Sequence, residues 1–156
     1  MPDQSSLEHL EGPVLFSACL LGIPCRYDGS VKTSGRILVL EKVIRIPVCP
    51  EQLGGLPTPR SPAQFVGGDG RAVLAGKSRL VDARGQDVTG KFVEGARHTL
   101  SIARITGANT AVLKDNSPSC ASRCVWIEGA KVPGIGVTTA LLLENGITVM
   151  DEEGLL

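Results

Sequence analysis

The stretch Pro47–Arg60, PVCPEQLGGLPTPR, places a thiol, Cys49, and a carboxylate, Glu51, two residues apart on backbone stiffened by four prolines. A thiolate is a nucleophile or a metal ligand, and a carboxylate can take and return a proton. Core packing asks for neither. Four more cysteines accompany the pair: Cys19, Cys25, Cys120 and Cys124. Five is an odd number, which speaks against a fully paired set of disulfides. A structural zinc ion takes four tetrahedral ligands from closely spaced pairs. Cys19/Cys25 and Cys120/Cys124 could supply four, but C-x5-C and C-x3-C are not the usual knuckle spacings. The two histidines, His9 in a polar N-terminal stretch and His98 in a predicted helix, offer no ligand pair. Thiolates also hold iron–sulfur clusters. Three thiolates on a four-iron cluster leave one iron open as a Lewis acid, and thiophilic iron would favour sulfur on a substrate.

Those residues need elements to position them. Val14-Leu15-Phe16-Ser17-Ala18 reads as a short buried strand ending at Cys19, and Val43–Val48 as a second ending at Cys49. Arg36–Lys42 is expected as a short helix between them. Residues 71–82 are expected as a hairpin or an excursion off the main sheet. Thr89 is placed to cap a long helix over 90–106, stopped by Gly107. Thr110–Lys114 is a third strand, followed by DNSPSC. A last helix over 136–143 closes at Asn145-Gly146, before a final strand at 147–150. Alternating strands and helices imply an α/β fold: one domain over 1–156, with residues 1–12 a polar tail, built as an open, mostly parallel, Rossmann-like sheet with helices on both faces. Ligands bind beyond the carboxyl ends of strands in such sheets. Cys19, Cys49 and Cys120 would then converge on one edge.

Composition narrows the function classes. With 156 residues, 42% hydrophobic and 21% charged, the chain has the make-up of a globular protein with one sizeable core. Its 16 basic and 16 acidic residues cancel, so no dominant nucleic-acid footprint is expected. No apolar run reaches the ~18–20 residues of a membrane span, and the polar, acidic start is unlike a signal peptide. A cytoplasmic protein is expected, where disulfides are rare.

Five segments in order carry a resemblance: FSACLLGIPCRYDGS at 16–30, VCPEQLGGLPTPR at 48–60, DVTGKFVEGA at 87–96, LKDNSPSC at 113–120 and GIGVTTALLLENGI at 134–147. Together they closely resemble the thiouracil desulfurase (TudS) family, over nearly the whole chain. The resemblance implies a four-iron, four-sulfur (4Fe-4S) cluster on three cysteines, and removal of sulfur from thiolated pyrimidines without net redox chemistry. It makes Cys19, Cys49 and Cys120 the ligands, the same three that the strand ends single out. Cys25 falls where the residue type varies in that family and Cys124 lies outside its motifs, so neither is expected as a ligand. Were Cys25 to bind the fourth iron, the open position would be lost.

The resemblance also implies that Glu51 is the catalytic acid/base. A partly dehydrated pocket would favour a carboxylate that holds and returns a proton near neutral pH, although a Pro-Glu pair also serves to start a helix. Ser117 could hydrogen-bond the substrate or a water, or simply stabilise the N-S-P turn. Arg26, Tyr27, Asp28, Arg60 and Lys114 are candidates for holding substrate, with Arg26 or Arg60 able to meet a phosphate bidentately. The expected substrate is a free thiolated base, nucleoside or nucleotide, such as 2-thiouracil or 4-thiouridine monophosphate from RNA breakdown, yielding a uracil-type product and hydrogen sulfide. Intact nucleic acid and membrane are not expected partners. Two rival readings stand beside it: a non-catalytic iron–sulfur or zinc module that senses or binds, and a metal-free enzyme carrying a persulfide on Cys49. The second needs an activated thiolate, and no histidine accompanies Cys49 in sequence.

Overall fold

The computed structural model describes residues 5–154. Two four-stranded sheets lie in it. Sheet A contains β1 (Gly12–Ser17), β2 (Val43–Val48), β5 (Thr110–Val112) and β8 (Thr148–Met150) in the order β2-β1-β5-β8, every pair parallel. This is the expected parallel sheet. Its strands alternate strictly. Val14, Phe16, Val112 and Met150 face one core with Leu7 and Ile37, while Leu15, Ala111 and Val149 face another with Leu100, Ala103 and Leu142. The first face is covered by single turns: α1 (Ser5–Glu8), the 3-10 turn Ala18–Leu21 and α2 (Gly35–Leu38). The second is covered by α5 (Thr89–Thr106) and α6 (Val137–Glu144).

The helix expected over 36–42 shrinks to the one turn of α2, started by Ser34, whose hydroxyl accepts the Ile37 N–H. At the other end, Ser5–Glu8 are helical and Leu7 is buried, so that part of the expected polar tail belongs to the core; residues 1–4 of it lie outside the described residues. α5 stops at Gly107, which takes the left-handed conformation (φ 75°) that a residue with a β-carbon resists. Thr89 does not cap it. Val88 occupies that position, and the Thr89 hydroxyl instead accepts the Leu80 N–H, tying the helix to a neighbouring strand.

Sheet B is the excursion. It contains β3 (Ala63–Val66), β4 (Arg79–Asp82), β6 (Cys124–Ile127) and β7 (Ala130–Pro133) in the order β4-β3-β6-β7. Within 71–82 the structure has no hairpin: α4 (Gly70–Leu74), capped by Asp69, leads into β4, whose antiparallel partner β3 lies upstream. The hairpin β6–β7 turns at Glu128-Gly129, both at positive φ (48° and 87°). Phe65, Leu80 and Val125 turn inward from sheet B and pack on Phe92 and Ala96 of α5 and Val137 of α6. The long helix therefore serves both sheets, its first half facing sheet B and its second half sheet A. Among the described residues, no helix is long and apolar enough to cross a membrane.

Candidate active site

A cavity of about 480 Å³ opens at the carboxyl ends of β1, β2 and β5 and is walled on its far side by sheet B. Cys19 reaches it from the 3-10 turn after β1, Cys49 from the residue after β2, and Cys120 from the loop after β5. The three strands are adjacent and parallel, which is why cysteines 30 and 71 positions apart in sequence meet. Cys49 is followed by α3 (Pro50–Leu53), with proline at the first helical position, where its missing N–H costs nothing. That turn aims Glu51 at the cavity. The loop of Cys120 is held by the start of α6: the N–H groups of Val137 and Thr138 donate to the carbonyls of Pro118 and Ser119, and the Thr139 hydroxyl donates to the Cys120 carbonyl. Amides that a helix start leaves without partners thus grip the Cys120 loop.

The thiols have unequal surroundings. Cys19 is held below the ordinary thiol range, chiefly by a hydrogen bond from Cys25, against burial and against its neighbours Cys120 and Cys49. The same bond pushes Cys25 up. Cys49 is pushed far up by Cys25 and by burial, and its Sγ lies 3.7 Å from the Cys25 carbonyl oxygen. Burial pushes Cys120 far up, opposed by the hydroxyls of Ser17 and Ser117 against its sulfur, while the Glu51 carboxylate adds to the rise. Cys25 thus stands between Cys19 and Cys49, inside the cavity wall. Cys124 does not line the cavity; its N–H is one of three, with those of Ser122 and Arg123, directed at Asp115 Oδ1. The four-cysteine zinc pairing loses that member. Among the described residues no three Cys, His, Asp or Glu side chains are arranged to hold a single metal ion. The donor set does fit a cluster: thiols on three separate loops around a cavity, the most buried of them already faced by two hydroxyl donors that stabilise a coordinated thiolate.

Glu51 is not alone in the pocket. Arg60 Nε donates to its Oε1 at 3.2 Å, with the two side chains 4% and 15% exposed. The rest of the guanidinium is spent as well, on the Pro57 carbonyl (3.2 Å), the Thr58 hydroxyl (3.0 Å) and the Cys25 carbonyl (2.9 Å). Arg60 therefore orients Glu51 and braces the Cys25 loop; its fork is not left for a phosphate. Lys114 also lines the cavity, yet its ammonium meets Glu152 at 2.6 Å and the Asp115 carbonyl at 3.2 Å. Asp28 is away from the cavity: its Oδ1 accepts the Ser30 N–H, and that residue's hydrogen bonds hold its carboxyl below the usual range. It shapes a turn. Arg26 and Tyr27 do line the cavity, Arg26 lying 5.9 Å over the Tyr27 ring and donating to the Ser30 hydroxyl. Ser117 accepts the N–H groups of Ser119 (3.1 Å) and Cys120 (3.3 Å), so it stabilises the turn and presents its hydroxyl to the Cys120 sulfur.

His98 lies outside, its Nδ1 2.8 Å from the Leu53 carbonyl and its side chain half exposed; His9 is exposed. Sequence reasoning passed over Ser17, which accepts the Lys114 N–H at 2.9 Å and faces Cys120 with its own hydroxyl. A polar residue closing an otherwise apolar strand was the available signal. Asp115, Gln64 and Trp126 in the cavity wall were passed over too; the last two come from sheet B, whose approach no local pattern announces.

Comparison with known proteins accords with this geometry. The protein YbbK of Bacillus subtilis (strain 168) is 46% identical over 147 residues, covering 91% of this chain and 97% of its own length. The solved structure of the [4Fe-4S]-dependent thiouracil desulfidase TudS superposes with a TM-score of 0.78 at 38% identity, covering 93% of each chain. The resemblance read from the motifs is borne out. The family model for 2-thiouracil desulfurase matches residues 14–154, and the chain belongs to that family.

Proposed function

We propose that this protein is a desulfidase that exchanges the sulfur of a thiolated pyrimidine for oxygen, consuming water and releasing hydrogen sulfide, with no electron donor. The observation that carries this reading is the meeting of Cys19, Cys49 and Cys120 at one cavity into which Glu51 is aimed by its bond to Arg60. Those three cysteines would hold the cluster. When bound, it supplies a Lewis-acidic iron with a free position for the thiocarbonyl sulfur. The protein's own side chains do the proton work. Glu51, as the carboxylate, accepts a proton from water as its oxygen adds to the thiocarbonyl carbon. The same carboxyl returns that proton to the departing sulfur, then takes the proton of the added hydroxyl as the carbonyl forms and passes it to the hydrosulfide, which leaves as hydrogen sulfide. Arg60 keeps the carboxylate in one orientation throughout, and Ser17 and Ser117 hold the Cys120 thiolate by hydrogen bonds. Arg26 and Tyr27 are the candidates to border the substrate. The substrate is a small base or nucleotide in the cytoplasm, 2-thiouracil or 4-thiouridine monophosphate being the forms to try first; the balanced charge disfavours intact RNA.

The test is anaerobic. Protein reconstituted with iron and sulfide and freed of excess should release sulfide and a uracil-type product from these substrates, while iron-free protein and Cys120→Ala should not. A second reading is favoured by the place of Cys25, beside Cys19 and Cys49: a non-catalytic cluster held by four cysteines. Cys25→Ala separates the two. Retained cluster and turnover in the variant support the desulfidase; loss of the cluster in the variant, together with a wild type that holds the cluster and releases no sulfide, supports the sensor.

A further inference from the structure

The chain has five aromatic side chains, and they divide sharply by place. All three phenylalanines, Phe16, Phe65 and Phe92, are at most 1% exposed. The one tryptophan and the one tyrosine are 47% and 42% exposed, and both line the cavity. Leaving two large rings in water forgoes the burial that the Phe residues gain, so these positions call for a partner that covers them.

Trp126 owes its direction to the sheet. In β3 and β4, Phe65 opposes Leu80 and Gln64 opposes Val81; in the parallel pair β3–β6, Phe65 aligns with Ile127. One residue back along both strands, Gln64 lies beside Trp126. Phe65 and Leu80 point into the core against α5 and α6. Alternation then turns Val81, Gln64 and Trp126 to the other face as one transverse row, and all three line the cavity. Gln64 Oε1 accepts the Gly129 N–H, which leaves its amide N–H groups as donors above that row.

We propose that this row of sheet B is the platform for the substrate's ring: Trp126 stacks on the flat face of the pyrimidine and Gln64 donates to a ring carbonyl. Tyr27, carried on the loop that follows the Cys19 turn, borders the ring from the side of sheet A. The proposal rests on the desulfidase reading for the identity of the ring and makes Trp126 a substrate-binding residue. A π-face stacks on any pyrimidine, so the platform takes base and nucleotide alike, and the product ring as well as the substrate ring.

Because Trp126 is the only tryptophan, its emission reports on the platform directly. Uridine monophosphate and uracil, which lack sulfur, are titrated into the cluster-loaded protein. A saturable change in emission is expected, and an emission blind to both at saturating concentration overturns the proposal. In turnover, Trp126→Ala should raise KM about ten-fold or more with kcat within about two-fold, and Trp126→Phe should restore most of the loss. Iron content and visible absorbance of both variants serve as the control for folding and cluster retention. An unchanged KM in Trp126→Ala with wild-type turnover sinks the platform and leaves the desulfidase standing. A saturable emission change in wild type that releases no sulfide does the reverse.

Discussion

Glu51 and Arg60 form an ion pair nearly out of water, and each depends on the other for direction. Glu51→Gln keeps the shape of the side chain and removes its ability to take a proton. Turnover should fall about 10²- to 10⁴-fold with the cluster retained, read by sulfide release and visible absorbance; full activity would exclude the proton role. Arg60→Ala is a different injury. It strands the carboxylate and frees the Cys25 carbonyl, costing about 3 kcal/mol or more in denaturant unfolding. Arg60→Lys restores charge without the planar fork, so it should recover part of the stability and little of the rate. The thiols make a separate prediction for iron-free protein. Cys19 is held below the ordinary thiol range and Cys120 above it, so at neutral pH Cys19 carries more thiolate. Alkylation mapped by mass spectrometry should label Cys19 before Cys120, with Cys120 catching up only as pH rises. The reverse order would show that access, and not ionisation, governs these thiols.

At the scale of elements, the position of Glu51 depends on two glycines. Gly54 after α3 and Gly95 in α5 touch the opposite helix so closely that a β-carbon on either would collide with backbone, that of Lys91 or Pro50. Gly54 has an ordinary φ of −81°, so contact alone requires glycine there. Gly95→Ala should push α3 away from α5, carrying Cys49 and Glu51 with it. A loss of about 2 kcal/mol or more together with poor cluster retention is expected, measured by thermal melting and iron content. Retention equal to wild type would mean that α3 moves without the site. This contact could not be read from the sequence, where Gly95 is simply a glycine in a helical pattern. The strands that lead to Cys19 and Cys49 were legible because each is a largely apolar run closed by a polar or proline-marked stop, β1 ending at Ser17 and β2 at Val48. Sheet B was not. Its strands have four residues each, and the β3–β6 pairing joins segments far apart in the chain. The convergence of Cys19, Cys49 and Cys120 could thus be anticipated from local pattern, whereas the contacts of Arg60 with Cys25 and of Lys114 with Glu152 and the wall at Trp126 depend on segments that only the fold brings together.

For the whole molecule, the cavity is where three separately folded loops must agree. The 3-10 turn after β1, the Cys49–α3 corner after β2 and the Cys120 loop after β5 share a sheet edge, but each is anchored by its own neighbours: α2, α5 and α6 respectively. A cluster held by one thiolate from each would cross-link them. Because it binds the folded arrangement, its binding energy adds to folding stability, roughly 2.7 kcal/mol at a hundred-fold excess over its dissociation constant. For a chain of this length that corresponds to a rise in Tm of roughly 5–10 °C. The distribution of the effect matters more than its size. Cluster loading should slow amide exchange in residues 18–26, 49–55 and 114–121, whose loops carry the three proposed ligands. β4 and β7, at the edges of sheet B, should exchange at the same rate in loaded and iron-free protein. Protection confined to two of the three loops would identify which cysteine is not a ligand. Equal slowing across both sheets would mean that the metal stabilises the fold as a unit, with α5 as the element that couples them.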